Sequence, residues 1–248
     1  MSESGAIQIE GATVVFDDRI ATAAIRFEDG RITAIDGPRD GARLVDGSGL
    51  VLAPAFVDIH GDGFERQLMP RPGVMVPIEP ALLETDRQLA ANGIATAYHA
   101  LTLGWEPGLR SVETGRAVIS GLQALASRLT VENRVQLRWE TFCFEAVDLM
   151  REALAGPLAP SIAFNDHTSM AMLDPSVPLQ ERPFDHDPDY PVVDIDSPAF
   201  ATKMDARAKR SHMSAGAFVE LIRDMWNRRP NVPAVIADVA GEIGRAHV

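Results

Sequence analysis

Val51-Leu-Ala-Pro-Ala-Phe-Val-Asp-Ile-His60-Gly-Asp62-Gly-Phe-Glu-Arg66 is the stretch that decides the fold. An apolar, β-prone run ends abruptly in a histidine and an aspartate two residues apart. Residues i and i+2 of a strand point to one face, so His60 and Asp62 are placed to converge just beyond the strand's C-terminal end. An imidazole nitrogen and a carboxylate oxygen suit zinc, manganese or iron, and a catalytic site keeps one position open for water. Taken alone, the H-x-D pattern reads rather as an ordinary loop in which Asp62 makes a turn with Gly61 and Gly63.

The flanking residues favour the metal. Pro54-Ala-Phe-Val-Asp-Ile-His60-Gly-Asp62 resembles the first barrel strand of the amidohydrolase superfamily, P-G-x-[IV]-D-x-H-x-H, with Ala55 in place of the glycine and Asp62 in place of the second histidine. The continuation Phe64-Glu65-Arg66-Gln-Leu-Met69-Pro-Arg71-Pro-Gly-Val74 is similar to one branch, which reads H-x-D-x-x-E-R-x-x-x-P-R-P-G-V. That branch is the alpha-D-ribose 1-methylphosphonate 5-triphosphate diphosphatases of the carbon-phosphorus lyase pathway. Gly93-Ile-Ala-Thr-Ala-Tyr-His99-Ala-Leu resembles its second barrel strand, Val135-Gln-Leu-Arg138-Trp-Glu140 the third, and Ser161-Ile-Ala-Phe-Asn-Asp166-His167-Thr168 a fourth ending in the D-H-T signature.

The resemblance implies an α/β fold, the N-terminal half of a metal-dependent (β/α)8 TIM barrel preceded by part of a small β-sandwich. It puts His60, Asp62, Glu140 and His167 at the C-terminal ends of parallel strands as ligands of a divalent metal, zinc, manganese or iron. Barrel active sites are assembled at that rim. Arg66, Arg71 and Arg138 lie within or beside the strand ends, and guanidinium forks suit phosphate oxygens; structural bridges to Asp or Glu are the other use of such arginines. The proton-accepting aspartate of the family belongs to a last strand ending in Ser-Asp, and no such segment, nor the expected Ser-His-Asp, follows His167. Ile243-Gly-Arg-Ala-His-Val248 matches what the common sequencing-adaptor string ATCGGAAGAGCACACGTC encodes. The expected organisation is therefore a partial sandwich over residues 1–52, a partial barrel over 53–242 and an adaptor-encoded 243–248. Made as written, such a chain is expected to expose apolar strand edges, to self-associate and to release no diphosphate.

Composition sets the remaining limits. The chain has 248 residues, of which 46% are hydrophobic, enough for one large core or two modest ones. A formal net charge of -12 disfavours nucleic acid and anionic membrane as partners. An anionic small-molecule substrate then requires a locally positive pocket made by metal and arginines. The N-terminus lacks the basic region and apolar core of a secretory signal, no long apolar span occurs, and the single Cys143 forms no internal disulfide, so a cytoplasmic protein is expected, with homo-oligomerisation left open.

Short strands are expected at residues 6–10, 12–16, 22–27, 31–35 and 42–47, with a turn at Glu28-Asp-Gly30. Helices are expected over 80–91, 108–129, 145–154 and 214–226, and 174–198 reads as a long loop suited to a lid. His99 ends the second strand and either touches substrate or packs at the rim. His186, His212 and His247 are assigned no role. No G-x-S-x-G elbow, phosphate loop or C-x-x-C knuckle competes. What the resemblance implies is a metal-dependent hydrolase of phosphonate catabolism, converting alpha-D-ribose 1-methylphosphonate 5-triphosphate to the 5-phosphate and diphosphate. Two others stand beside it, a C-N hydrolase acting on a cyclic amide and an inactive barrel-derived interaction protein.

Overall fold

The computed structural model describes residues 5–71, 73–104, 108–140, 143–165, 176, 202 and 215–228. The chain divides into two compact units, Met1–Ala55 and Phe56–Val248.

The first unit is a five-stranded sheet of β1 (Ile7–Val15), β2 (Ile20–Glu28), β3 (Arg31–Ile35), β4 (Arg43–Asp46) and β5 (Val51–Leu52). The order is β3-β2-β1-β4, with β5 also on β1. Where the sequence suggests two strands, 6–10 and 12–16, one continuous β1 forms. Its antiparallel register against β2 slips between Ile9 and Ala12, at Gly11 with φ +76°. Glycine at that φ absorbs a bulge without ending the pairing. The core is small, Val14, Ala23 and Ile25 with Phe16, Phe27 and Leu52 against them.

The second unit carries the sheet expected from the strand-end motifs. Strands β6 (Phe56–Gly61), β7 (Ile94–Leu103), β8 (Glu132–Glu140) and β9 (Ser161–Asn165) lie in the order β6-β7-β8-β9, all parallel. Between them run α1 (Gly63–Leu68), α2 (Ile78–Ala91), α3 (Val112–Leu125) and α4 (Val147–Ala155). Four parallel strands in chain order with intervening helices make half of a β/α barrel sheet. Alternation sorts β8 cleanly. Val135, Leu137 and Trp139 enter the core with Leu82, Val118, Leu122 and Met150 of the helices, while Gln136, Arg138 and Glu140 take the opposite face.

Local signals explain the helix limits. Ser111 caps α3, its hydroxyl accepting from the Thr114 N–H at 3.1 Å, so the helix starts at Val112 rather than 108. Residues 108–111 instead make a turn in which Ser111 N–H donates to Gly108 O and Gly104 N–H to Arg110 O. Gly93, at φ +75°, follows the Asn92 C-cap of α2 and turns the chain into β7. The short α1 falls in the Phe64–Val74 continuation, where the sequence predicts no helix. A further helix, α5 (Ala215–Arg228), covers the range expected from 214 to 226; its Trp226 stacks on Phe164 at 6.4 Å between centroids and its Asp224 binds Arg151 at 2.7 Å. No helix among the described residues is long and apolar enough to cross a membrane. The 174–198 lid segment apart from Ser176, His167, His186, His212 and residues 243–248 lie outside the described residues.

Candidate metal and substrate site

The strand ends gather polar groups on the face turned away from the helices. His60 is the penultimate residue of β6, and Asp62 follows the strand as the residue preceding α1. On β8 the alternation that buries Leu137 and Trp139 sends Gln136, Arg138 and Glu140 to this face, and their β7 register partners include Ala100 opposite Gln136 and Thr102 opposite Arg138.

Two contacts then cross β7 from β6 to β8. His60 Nδ1 lies 2.6 Å from Gln136 Oε1, and Arg138 Nη1 lies 3.4 Å from Asp62 Oδ1. Strands two apart in a sheet are separated by about 9–10 Å, so both contacts need a small residue between them. Ala100 and Thr102 supply it. Arg138 is thus brought to Asp62, a bridge rather than a free guanidinium, while the exposed Arg66 on α1 and Arg71 in the Arg71–Val74 turn stand in the segment after β6. Glu140 is buried at the end of β8, its carbonyl accepting from Cys143 N–H at 2.7 Å.

For a metal, the donor types fit. His60 Nε2 has no hydrogen bond among the described residues, the Asp62 carboxylate is about half exposed, and the buried Thr102 hydroxyl has no partner among the described residues. Thr102 stands at the register position of Arg138, and a buried hydroxyl without a protein partner among the described residues suits a polar ligand there. The described residues do not bring three His, Cys, Asp or Glu side chains within reach of one ion, and the remaining expected ligand, His167, is not among them.

His99 lies in mid-strand, since β7 continues to Leu103, and it packs rather than facing the rim. Its Nε2–H donates to Asn133 Oδ1 at 2.7 Å, and its ring meets Phe64 edge-on at 5.5 Å. Asn133 in turn donates to Asp86 Oδ1 at 2.9 Å. Burial pushes the His99 pKa below the ordinary 6.5, against the opposing pull of Asn133, Asp58 and Asp86. Below that pH the unfolded chain binds a proton that the folded chain refuses. Stability is expected to fall as pH drops through about 6.5, with a slope from this group of at most about 1.4 kcal/mol per pH unit, levelling only once folded His99 itself protonates. Urea unfolding from pH 7.5 to 5 checks this, and His99→Gln should remove that part of the slope; equal slopes in both proteins exclude the assignment.

No protein-family model matches the chain. Among curated proteins, it is 24% identical over 166 residues to the alpha-D-ribose 1-methylphosphonate 5-triphosphate diphosphatase of Escherichia coli (strain K12). The chain is similar to a diphosphatase. The alignment takes in 64% of this chain, which spans 43% of the length of that relative. Among solved structures, the N-acyl-D-glutamate deacylase from Bordetella bronchiseptica, complexed with zinc and a phosphonate inhibitor, is similar at 17% identity and a TM-score of 0.41, over 65% of this chain and 38% of that one. The dihydropyrimidinase from Brevibacillus agri NCHU1002 is similar at 14% identity and a TM-score of 0.45, over 82% and 38%. The fold described above rests on the chain's own strand order and register.

Proposed function

We propose that this chain carries part of the active site of a divalent-metal hydrolase that cleaves a phosphoanhydride, releasing diphosphate from alpha-D-ribose 1-methylphosphonate 5-triphosphate and leaving the 5-phosphate. The observation that carries the reading is the pair of contacts that cross β7, His60 to Gln136 and Asp62 to Arg138, at the C-terminal ends of a parallel sheet whose β8 also ends in Glu140. The name of the 24% identical relative supports the substrate. So does the Glu65-Arg66 and Met69-Pro-Arg71-Pro-Gly-Val74 run, which suits phosphates better than a neutral ring.

In this reading His60 and Asp62 are the first ligands of the metal, zinc, manganese or iron, with Glu140 and His167 as the further ones, although His60, Asp62 and Glu140 do not converge on one point among the described residues. When bound, the metal lowers the pKa of a water and offsets charge on phosphate oxygens. The protein's own part is orientation. Arg138 holds Asp62 over the end of β7, and Arg66 and Arg71 add fixed positive charge beside the strand ends of a chain whose net charge is -12.

The test uses the 248-residue chain and, beside it, a longer chimera in which this chain replaces the aligned part of the Escherichia coli relative, each incubated with the triphosphate and Zn²⁺ or Mn²⁺ and followed by phosphorus NMR. Diphosphate and the 5-phosphate in equal amounts from the chimera are expected. Cleavage of a cyclic amide with no diphosphate formed overturns the proposal in favour of C-N hydrolysis.

Two variants bear on the residues. His60→Ala and Asp62→Ala are each expected to lower bound metal, since a site of few ligands loses most of its hold with one. Unchanged metal stoichiometry in both excludes the assignment. Arg71→Ala is expected to reduce kcat/KM for the triphosphate roughly tenfold to hundredfold, the worth of one or two charge-assisted hydrogen bonds. Arg71→Lys should recover little if the fork geometry matters, and full recovery shows that charge alone suffices.

A further inference from the structure

We propose that Gln136 is a positioning residue that fixes which ring nitrogen of His60 carries the proton, and hence which nitrogen is offered to a metal. The inference rests on the reading of His60 as a ligand, but the hydrogen bonds that carry it do not involve the metal.

The amide of Gln136 has two ends, and each has one hydrogen-bond neighbour among the described residues. Its Oε1 lies 2.6 Å from His60 Nδ1, and its Nε2 donates to the Ile59 carbonyl at 3.4 Å. A backbone carbonyl only accepts, so the amide nitrogen belongs on the Ile59 side; the reverse orientation sets two oxygens against each other. The oxygen then faces the ring. It too only accepts, so His60 Nδ1 must be the nitrogen that carries hydrogen. Nε2 is left with its lone pair and no hydrogen-bond partner among the described residues, on an exposed ring.

Gln136 is itself 3% exposed, with Ala100 and Ser161 as its register neighbours on β7 and β9. Its amide is therefore held in place as a rigid reach across the Ala100 gap. The partner of a ligating histidine sets its tautomer and ring orientation, and where that partner is a carboxylate it also adds negative charge and basicity. A carboxamide orients without adding charge. At a strand end that already holds the Asp62 and Glu140 carboxylates, this keeps the site from becoming more hostile to an anionic substrate.

The experiment begins with the metal-free chain. Long-range proton-nitrogen NMR correlation, with the His60 ring identified by its loss in His60→Gln, is expected to show Nδ1 protonated and Nε2 bare. Gln136→Met keeps the volume but removes the acceptor, and the ring should shift toward the Nε2–H form that free histidine prefers in water. Gln136→Glu keeps an acceptor and should keep Nδ1–H. Zn²⁺ titrated against a chromogenic chelator should bind about 10- to 100-fold more weakly to Gln136→Met and at least as tightly to Gln136→Glu.

A wild-type ring protonated at Nε2, or a Gln136→Met protein with unchanged tautomer, overturns the proposal. Should Gln136→Met fail to fold, Gln136→Asn, which withdraws the amide by one methylene, is expected to lose the Nδ1–H preference, and its retention overturns the proposal equally. If wild type takes up no Zn²⁺ while the tautomer still follows Gln136 as expected, the ligand reading of His60 fails and the hold of Gln136 on the ring stands.

Discussion

Asp86→Ala is expected to cost the Phe56–Val248 unit about 3–5 kcal/mol of stability. Asp86 is a buried carboxylate on α2 that accepts from Thr130 N–H, Val131 N–H and Asn133 Nδ2, each at 2.9 Å. These three donors lie at the entrance to β8, more than forty residues away in sequence. Removing the acceptor leaves the buried Val131 N–H unsatisfied, at about 1–3 kcal/mol, takes the bond of Thr130 N–H, and leaves the Asn133 amide, whose oxygen receives His99 Nε2–H, with only the Val131 carbonyl at 2.8 Å to accept from it. Asp86→Asn keeps one oxygen but turns an NH2 toward the remaining donors, and should lose an intermediate amount. Urea denaturation with slopes compared across the variants measures this. A loss below about 1 kcal/mol for alanine would show that the network is not what anchors β8 to α2.

The second large effect concerns α1, the helix that begins directly after Asp62. Glu65 on α1 is 5% exposed and receives Arg110 in a two-pronged pair, Nε to Oε1 at 2.9 Å and Nη2 to Oε2 at 3.0 Å. The pair ties the segment after β6 to the turn after β7. Arg110→Ala removes two charge-assisted hydrogen bonds from a buried carboxylate and is expected to cost about 3 kcal/mol, the low end for breaking a buried pair because the Arg110 side chain is 26% exposed. Arg110→Lys retains charge but not the fork and should recover less than half. Because α1 follows Asp62 without a linker, both variants should also weaken Zn²⁺ binding. Undiminished stability together with unchanged Zn²⁺ binding would sink the argument that this pair holds the strand-end segment in place.

What could be read from the sequence follows from how local each signal is. The parallel strands were legible because Val135-Gln-Leu-Arg138-Trp-Glu140 alternates cleanly between core and rim, and because a capped or glycine-stopped helix separates each strand from the next. Boundaries slipped where a tertiary turn imitates helix, as at Gly108–Ser111, or where glycine permits a bulge, as at Gly11. The six-residue α1 is too short to show a period, and proline-rich residues follow it.

The positions of His60, Asp62, Arg138 and Glu140, at or just after strand ends, were legible in the sequence. Gln136 was passed over although it shares the face of Arg138 and Glu140, because an amide side chain announces no chemistry by itself. Neither Asp86 nor Arg110 carries any local sign of its partner, for both pairings span more than forty residues. Arg138 was expected at phosphate, and its bridge to Asp62 is a contact across a whole strand that only the assembled sheet creates.

The strand order β6-β7-β8-β9 has a bearing on synthesis. Among the described strands, each after β6 pairs with the one made just before it, so these pairings do not wait for a distant segment to leave the ribosome. Loops closed by neighbouring βα units are short, and short closures are fast compared with translation at roughly 5–20 residues per second. By the time β8 emerges, β7 has its partner and Asp86 has the donors at Thr130 and Val131 within reach. The sheet is therefore built by accretion, one unit locking the last, with β6 as the edge that is exposed longest on the nascent chain.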